Sequence, residues 1–291
     1  MNPVSAPPLG GTRALLQSLV PSLVPSERRV AQLCIDRPAA VAQMSAAEVG
    51  REAGVSPATV VRACQRMGFG GFQNLRELLI RDQAAPPAPA PRTAPAHPVE
   101  ALFGRAIDHI HGALGALDFG VFDRAADRIR DARRLLVVGN GASLPPAQSV
   151  ALHFLASGKV CEAPVDIVSQ HISAKLLKPG DVCLAVSDSG MNRFTLRSAR
   201  LAKEAGVDVV GITSYAKSDL AQIADFPLIA GADFHSLNDE AVTGNIVQML
   251  LLSALHSAAR TERKETLDAI ADSMDVVREI VEPEILEPSD E

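Results

Sequence analysis

Two short stretches carry residues whose types and spacing suit the binding of an anion or a sugar. Gly139-Asn-Gly-Ala-Ser143 follows the apolar run Leu135–Val138, and Ser187-Asp-Ser-Gly-Met-Asn192 follows Cys183-Leu-Ala-Val186. Each places hydroxyls, glycines and backbone N–H groups where a buried strand breaks into a turn and then a helix. The strand ends and helix amino ends of open α/β sheets hold small anions and nucleotides in this way. Serine and glycine also act as plain helix caps, and one such loop alone would be read so. Two matching loops at strand ends favour a ligand site. A dinucleotide reading is weaker. Gly139-x-Gly141 follows a strand and Glu162 ends the next one, near where a ribose-binding acid would lie. The third glycine position, however, is Leu144, too large for a helix packed tightly on a sheet.

The elements that must position these loops alternate. Leu135–Val138, Val182–Val186, Val207–Ile212 and Pro227–Ile229 read as strands, and Lys159–Glu162 as a short one. Between and after them, Pro145–Ser157, Ile172–Leu177, Arg193–Ala205 and Ala241–Ala259 read as helices. Strand–helix alternation implies a parallel sheet, because parallel neighbours need crossovers. Residues 99 to 133 read as two further helical pieces, the second over Phe122–Arg130. Strand ends in a parallel sheet point the same way, so the two loops can meet at one edge.

The first 83 residues have a different character. Helical spacing runs over Gly11–Val24 and from Pro25 to just before Pro38. Ser45-Ala-Ala-Glu48 is a capping box opening a short helix that stops at Gly54-Val55. Ser56-Pro57-Ala-Thr59 then opens a second helix, with a serine cap and proline at the first helical position. That helix runs to Gly68, and one more spans Phe72–Asp82. Two short helices joined by a glycine turn make a helix-turn-helix. The candidate DNA-contacting residues are Ser45, Ser56, Ala58, Thr59, Arg62 and Arg66. Arg62 sits where a guanine edge could be read, whereas Arg66 lies further along, where phosphate is met. An ordinary small bundle with a solvated polar face is the competing interpretation.

Residues 84–98 hold so many prolines that helix is prevented and an extended spacer favoured. His97 falls in this linker and reads as solvated. The division is therefore 1–83 helix-turn-helix domain, 84–98 linker, 99–260 α/β domain, and 261–291 a C-terminal helix with an acidic tail. In that tail Leu267, Ile270, Met274 and Val277 share one face. Net charge is −6 over 291 residues. The first 83 contain nine arginines, no lysine and six acids, hence +3, and the remainder carries −9. A basic head on an acidic body fits a nucleic-acid partner for the head alone. No apolar run reaches the length of a membrane span, and the amino terminus lacks a signal-peptide pattern. Cys34, Cys64, Cys161 and Cys183 form no CxxC pair and read as small hydrophobes in a reducing compartment. A cytoplasmic location is expected, with no cofactor and no metal.

Taken in order across both halves, these residues resemble the RpiR-type (MurR/RpiR) bacterial transcription regulators. In the head the resemblance rests on Met44-Ser45, Glu48, Gly54-Val55-Ser56, Ala58-Thr59-Val60-Val61-Arg62, Cys64 and Gly68-Phe69-x-Gly71-Phe72. In the body it rests on Gly139-x-Gly141-x-Ser143, Leu177-Lys-Pro-Gly-Asp181, Ser187-x-Ser189-Gly190, Ala202-Lys203 with Gly206, and Ile212-Thr213-Ser214 with Ser218-x-Leu220. Ala224-Asp225 also fits. The resemblance implies a helix-turn-helix joined to a sugar isomerase (SIS) domain that binds phosphosugars. It places Gly141, Ser143, Ser187 and Ser189 around a sugar phosphate. Asn192 stands where the family usually has threonine, and its amide still donates a hydrogen bond. Asp188 departs from the pattern, since a carboxylate in a phosphate loop repels the dianion unless it turns away to solvent. Around Ser236-Leu-Asn238 many relatives carry glutamate and arginine, and Asn245 falls near another usual arginine. The pocket so implied has lost cationic contacts and an acid–base glutamate, leaving Glu240 as the nearest carboxylate. His171 and His235, singly placed, read as structural histidines.

The expectation is a homodimeric or homotetrameric regulator, a repressor by default, that grips operator DNA and senses a sugar phosphate or related metabolite. No catalytic residue is assigned. The alternatives are a sugar-phosphate isomerase-like enzyme, which would need an acid–base pair, and an NAD-responsive redox repressor.

Overall fold

The computed structural model describes residues 7, 9–84, 97–231, 240–260, 271 and 275, with backbone alone at 240–245. The acidic tail, His235, Ser236–Asn238 and the side chains of Glu240 and Asn245 therefore lie outside the described residues. Six helices form the head: α1 (Thr12–Leu19), α2 (Pro25–Asp36), α3 (Pro38–Val41), α4 (Ala46–Ala53), α5 (Pro57–Met67) and α6 (Phe72–Asp82). Their apolar faces close on one core in which Leu16, Leu19, Met67 and Leu75 are fully buried. Each such side chain contributes about 1.5–3 kcal/mol relative to exposure. The four-residue α3 was not anticipated. It begins at Pro38, whose ring suits a first helical turn even as it ends α2.

Two long helices follow, α7 (Pro98–Ala116) and α8 (Phe119–Asp131). His97 is the amino-terminal cap of α7, its Nδ1 accepting from the Val99 N–H at 3.2 Å. The residue is exposed, as read from the sequence, and the cap is a role the sequence reading did not assign to it. An imidazole acceptor just before a proline satisfies one of the amides a helix start leaves unpaired.

The body is a five-stranded, wholly parallel sheet in the order β2-β1-β3-β4-β5. Its elements are β1 (Leu135–Gly139), α9 (Leu144–Ala156), β2 (Cys161–Glu162), α10 (Ile167–Lys175), β3 (Val182–Val186), α11 (Arg193–Glu204), β4 (Asp208–Thr213), α12 (Asp219–Ile223), β5 (Phe226–Ile229) and α13 (Glu240–Ala259). Alternate strand residues enter two cores. Leu135, Val137, Leu184 and Ile212 pack on the side of α8, α9 and α13, and Leu136, Val138, Cys183 and Val209 on the side of α10, α11 and α12. Burial on both faces explains why the central strands β1, β3 and β4 read as apolar runs.

Several boundaries differ from expectation: α1 stops at Leu19, and α8 starts at Phe119, three residues before Phe122, with Asp118 as its cap. Helix α10 starts five residues before Ile172, because Asp166 caps it by accepting from the Ser169 N–H at 2.8 Å. Strand β2 is only two residues long, as an edge strand can be. The short α12, capped by Ser218, was missed. All four cysteines are free thiols. Burial pushes each of them up to about 12.

Candidate functional site

In the sheet order 2-1-3-4-5 the chain reverses direction between β1 and β3, and open α/β sheets bind ligands outside the carboxyl ends of such strands. Gly139 and Val186 end β1 and β3 as direct partners, so the two hydroxyl-bearing loops begin side by side. Ser143 Oγ joins them, accepting from the Asp188 N–H at 3.2 Å. Ser143 and Ser187 are buried, Ser189 and Asn192 half-buried, and Gly141 is exposed with φ +62°. Asn192 caps α11, its Oδ1 accepting from the N–H groups of Phe194 (3.1 Å) and Thr195 (3.3 Å). The Ser189 Oγ accepts from the Met191 N–H at 3.2 Å. Glycine at 190 is required twice over. Its φ is +62°, and a Cβ there would stand 2.2 Å from Ser218 Oγ.

Asp188 does not turn to solvent. Its Oδ1 accepts from Ser214 Oγ at 2.5 Å and from Gln248 Nε2 at 3.2 Å. Its carbonyl accepts from the Ser214 N–H at 2.9 Å and the Thr213 hydroxyl at 3.1 Å. The carboxylate thus points inward, toward β4 and α13. Hydroxyl and amide donors offset the charge that would otherwise confront an anion. Glu162, weighed as a ribose acid, pairs instead with Arg134. His171 is structural, its Nε2 lying 3.2 Å from the Phe194 carbonyl.

Sequence reasoning missed the polar layer beneath the loops. Asn140 Nδ2 donates to Gln170 Oε1 (2.9 Å) and to Thr195 Oγ1 (3.0 Å), and Gln170 Nε2 donates to the carbonyls of Gly139 (3.3 Å) and Pro164 (2.9 Å). Gln170, Thr195 and Gln248 are fully buried. A buried glutamine in the first turn of a mixed helix, as Gln170 is in α10, gives no periodic signal. Only its partners reveal its role.

In the head, α4 and α5 form the helix-turn-helix. Ser45 Oγ accepts from the Glu48 N–H (3.3 Å), while Glu48 Oε2 accepts from the Ser45 N–H (2.7 Å), completing the capping box. These bonds lower the Glu48 carboxyl below its ordinary value. Ser56 Oγ accepts from the Thr59 N–H at 3.2 Å. Gly54 takes the left-handed conformation that ends α4. Gly50 was overlooked: a Cβ there would stand 2.8 Å from the Val55 carbonyl oxygen, so the turn needs hydrogen at that position. Ser45, Ser56, Ala58, Arg62 and Arg66 are exposed and Thr59 half-buried, all within two adjoining helices. Arg62 Nη2 donates to Thr59 Oγ1 at 3.3 Å, drawing its guanidinium toward the start of α5. Arg66, read from the sequence as meeting phosphate, has a partner within the head. It pairs with the buried Glu27 carboxylate at 3.0 Å, although its side chain stays 57% exposed.

Residues 10–86 match the model described as helix-turn-helix domain, rpiR family, and residues 128–258 match that of the SIS domain. The HTH-type transcriptional regulator RpiR of Escherichia coli K12 is 30% identical over 71% of this chain and 72% of its own length. The chain belongs to the RpiR family. The regulator HexR of Pseudomonas aeruginosa, another relative, is 29% identical over 85% of the chain and 88% of HexR. Among solved structures, the Vibrio vulnificus NanR protein complexed with ManNAc-6P shares the fold with TM-score 0.60 at 22% identity, covering 94% of this chain and 100% of that one. This RpiR-family member is accordingly a DNA-binding transcriptional regulator with a helix-turn-helix head and an α/β SIS body. Among the described residues no helix is long and apolar enough to cross a membrane.

Proposed function

We propose that the SIS body is a sensor for a sugar phosphate or related carbohydrate metabolite, and that effector binding changes how strongly the head holds its operator, with repression as the default sense. One observation supports this above the others. The Ser143 and Ser187–Asn192 loops converge at the β1/β3 reversal with the intruding carboxylate of Asp188 turned inward. Gly141, Ser143, Ser187, Ser189 and Asn192 would hold phosphate and hydroxyl oxygens, and Glu240 would lie at the rim. In the head, Ser45 and Ser56 sit at helix amino ends suited to phosphate oxygens. Ala58, Thr59 and Arg62 would face base edges, with Arg66 on the backbone.

The head is taken as residues 1–83, the spacer as 84–98, the sensor as 99–260 and the tail as 261–291. Binding without turnover is the expected outcome, in keeping with relatives named as regulators. A protein that docks on operator DNA works beside the genome, so a cytoplasmic site of action follows. Leu152 and Leu155 on α9, Val168 and Ile172 on α10 with Leu176 just after it, and Met249 and Leu250 on α13 are exposed. Apolar surface of that extent favours a homodimer or homotetramer.

The test is a thermal-shift and gel-shift series on the full chain with N-acetylmannosamine 6-phosphate, other hexose 6-phosphates and the matching neutral sugars. Phosphorylated ligands should raise Tm more than neutral ones, and Ser189→Ala should weaken binding about tenfold, as expected for losing one hydrogen bond to a charged group. Steady turnover of any of these sugars, or no shift with all of them, would overturn the sensor reading.

A further inference from the structure

The helical head rests against the sensor at one place that the effector loops themselves support. The turn after β4, Ser214–Ser218, is tied to the β3 loop by the Asp188 bonds to Ser214 and Thr213 and by the Leu220 N–H donating to the Gly190 carbonyl at 3.0 Å. The far side of the same turn meets the head. The Ala216 N–H donates to the Ser18 carbonyl at 3.3 Å, and the Ala216 side chain packs against the head's apolar core. Lys217 Nζ donates to the carbonyl of Arg66, in the last turn of the reading helix α5.

That carbonyl is one of those a helix carboxyl end leaves without an intrahelical partner, and a cation there also complements the helix dipole. The sensor therefore supplies a carboxyl-terminal cap for the helix that reads DNA. Desolvation and the neighbouring Arg66 hold the Lys217 ammonium below its ordinary value, while Glu27 acts in the opposite direction. Glu27 carries a buried Oε2 with no hydrogen-bond partner among the described residues. A cavity of about 100 Å³ lies in this seam, walled by Ser18, Pro21 and Ser22 from the head and by Ser189, Met191 and Tyr215 from the sensor. Ser189 and Met191 belong to the effector loop.

We propose that the Ser214–Ser218 turn couples the two domains: an effector in the β1 and β3 loops acts on the head through Lys217 and Ala216, and the Pro-rich segment 84–98 serves only as a tether. This rests on the sensor reading above. Coupling of this kind is reciprocal, so operator binding would change effector affinity by the same factor.

The experiment uses the full chain, an operator selected from genomic fragments with the wild-type protein, and whichever hexose 6-phosphate in the series above shifts Tm. For wild type, that sugar should change operator affinity by about 5–150-fold. In Lys217→Met the sugar should still bind within about twofold of wild type while its effect on operator affinity falls below about twofold. Lys217→Arg, which keeps a donor and a charge, should restore much of it. Hydrogen exchange of the apo Lys217→Met chain should speed up at Ala216 and at the end of α5 by about tenfold or more, a readout that needs no effector. Replacing residues 85–96 with glycine and serine at equal length should leave the coupling intact. Wild-type coupling retained in Lys217→Met, unchanged exchange at the seam, or loss of coupling in the Gly/Ser variant would each overturn the proposal. If no sugar binds wild type, the sensor reading fails and the coupling claim falls with it, whereas the exchange arm still reports on the Lys217 cap alone.

Discussion

The helix-turn-helix and the loops proposed to bind effector are both built from serine, glycine and short polar turns, yet they are held in different ways. In the head, Ser45 bonds Glu48 and Ser56 bonds Thr59, each across three residues. At the effector loops, Asp188 bonds Ser214, Ser143 and Gln248 across 26, 45 and 60 residues. A surface held by local caps survives as a unit wherever its helix goes. One stitched from three distant elements responds to anything that shifts one of them. A reading head must move as a rigid piece and a sensor must register occupancy, so the contrast matches the division of labour proposed above.

The largest effect expected from breaking this contrast is at Gly190. Gly190→Ala puts a Cβ into Ser218 in a backbone conformation that L-residues rarely adopt, at a cost of several kcal/mol combining overpacking of about 1–3 kcal/mol with backbone strain of similar size. Chemical denaturation should show the body losing that stability, while an amide spectrum of the head keeps its native pattern. Asp188→Ala comes next, because it leaves Ser214 and Gln248 unpaired in a buried place. The loss should be about 1–3 kcal/mol of body stability, and Asp188→Asn should lose less while binding sugar phosphate more tightly. Titration of both variants with the same phosphosugar decides this.

Arg62→Ala sharpens the other side of the comparison. Specific operator binding should weaken by about 1–3 kcal/mol with relaxed preference at one base pair, measured by competition against mismatched sites, while Tm stays put. Ser56→Ala should cost about 1 kcal/mol of head stability, as the loss of a helix cap does, with no change in effector affinity. The smallest effect concerns the thiols. Because burial raises Cys34, Cys64 and Cys183 to about 12, a thiol reagent at pH 8 should label them only as fast as the surrounding domain opens.

Much of the fold was legible before any coordinate. The capping box at Ser45, the serine–proline start of α5 and the bounds of α6 stand where the sequence pattern places them, since each depends on residues within one helical turn. The central strands β1, β3 and β4 were legible because burial on both faces leaves apolar runs, and β3 matches to the residue. Elements shorter than two turns, α3 and α12, escaped because they carry too few residues to show a period. The early start of α10 escaped because its first four residues, two apolar (Ile167, Val168) and then two polar (Ser169, Gln170), are too few to show a helical period, and only the Asp166 cap marks the beginning.

Sequence by itself determined the two-part organisation, the helix-turn-helix and the pair of hydroxyl-rich loops, because caps, turns and apolar periodicity are properties of neighbouring residues. Tertiary structure alone decided that Asp188 faces inward, that Arg66 is paired with Glu27, that Asn140, Gln170 and Gln248 underlie the site, and that Lys217 caps the reading helix. Those are partnerships between groups far apart along the chain. A charged or amide side chain takes whichever donor or acceptor packing brings within about 3 Å, and composition carries no record of that choice.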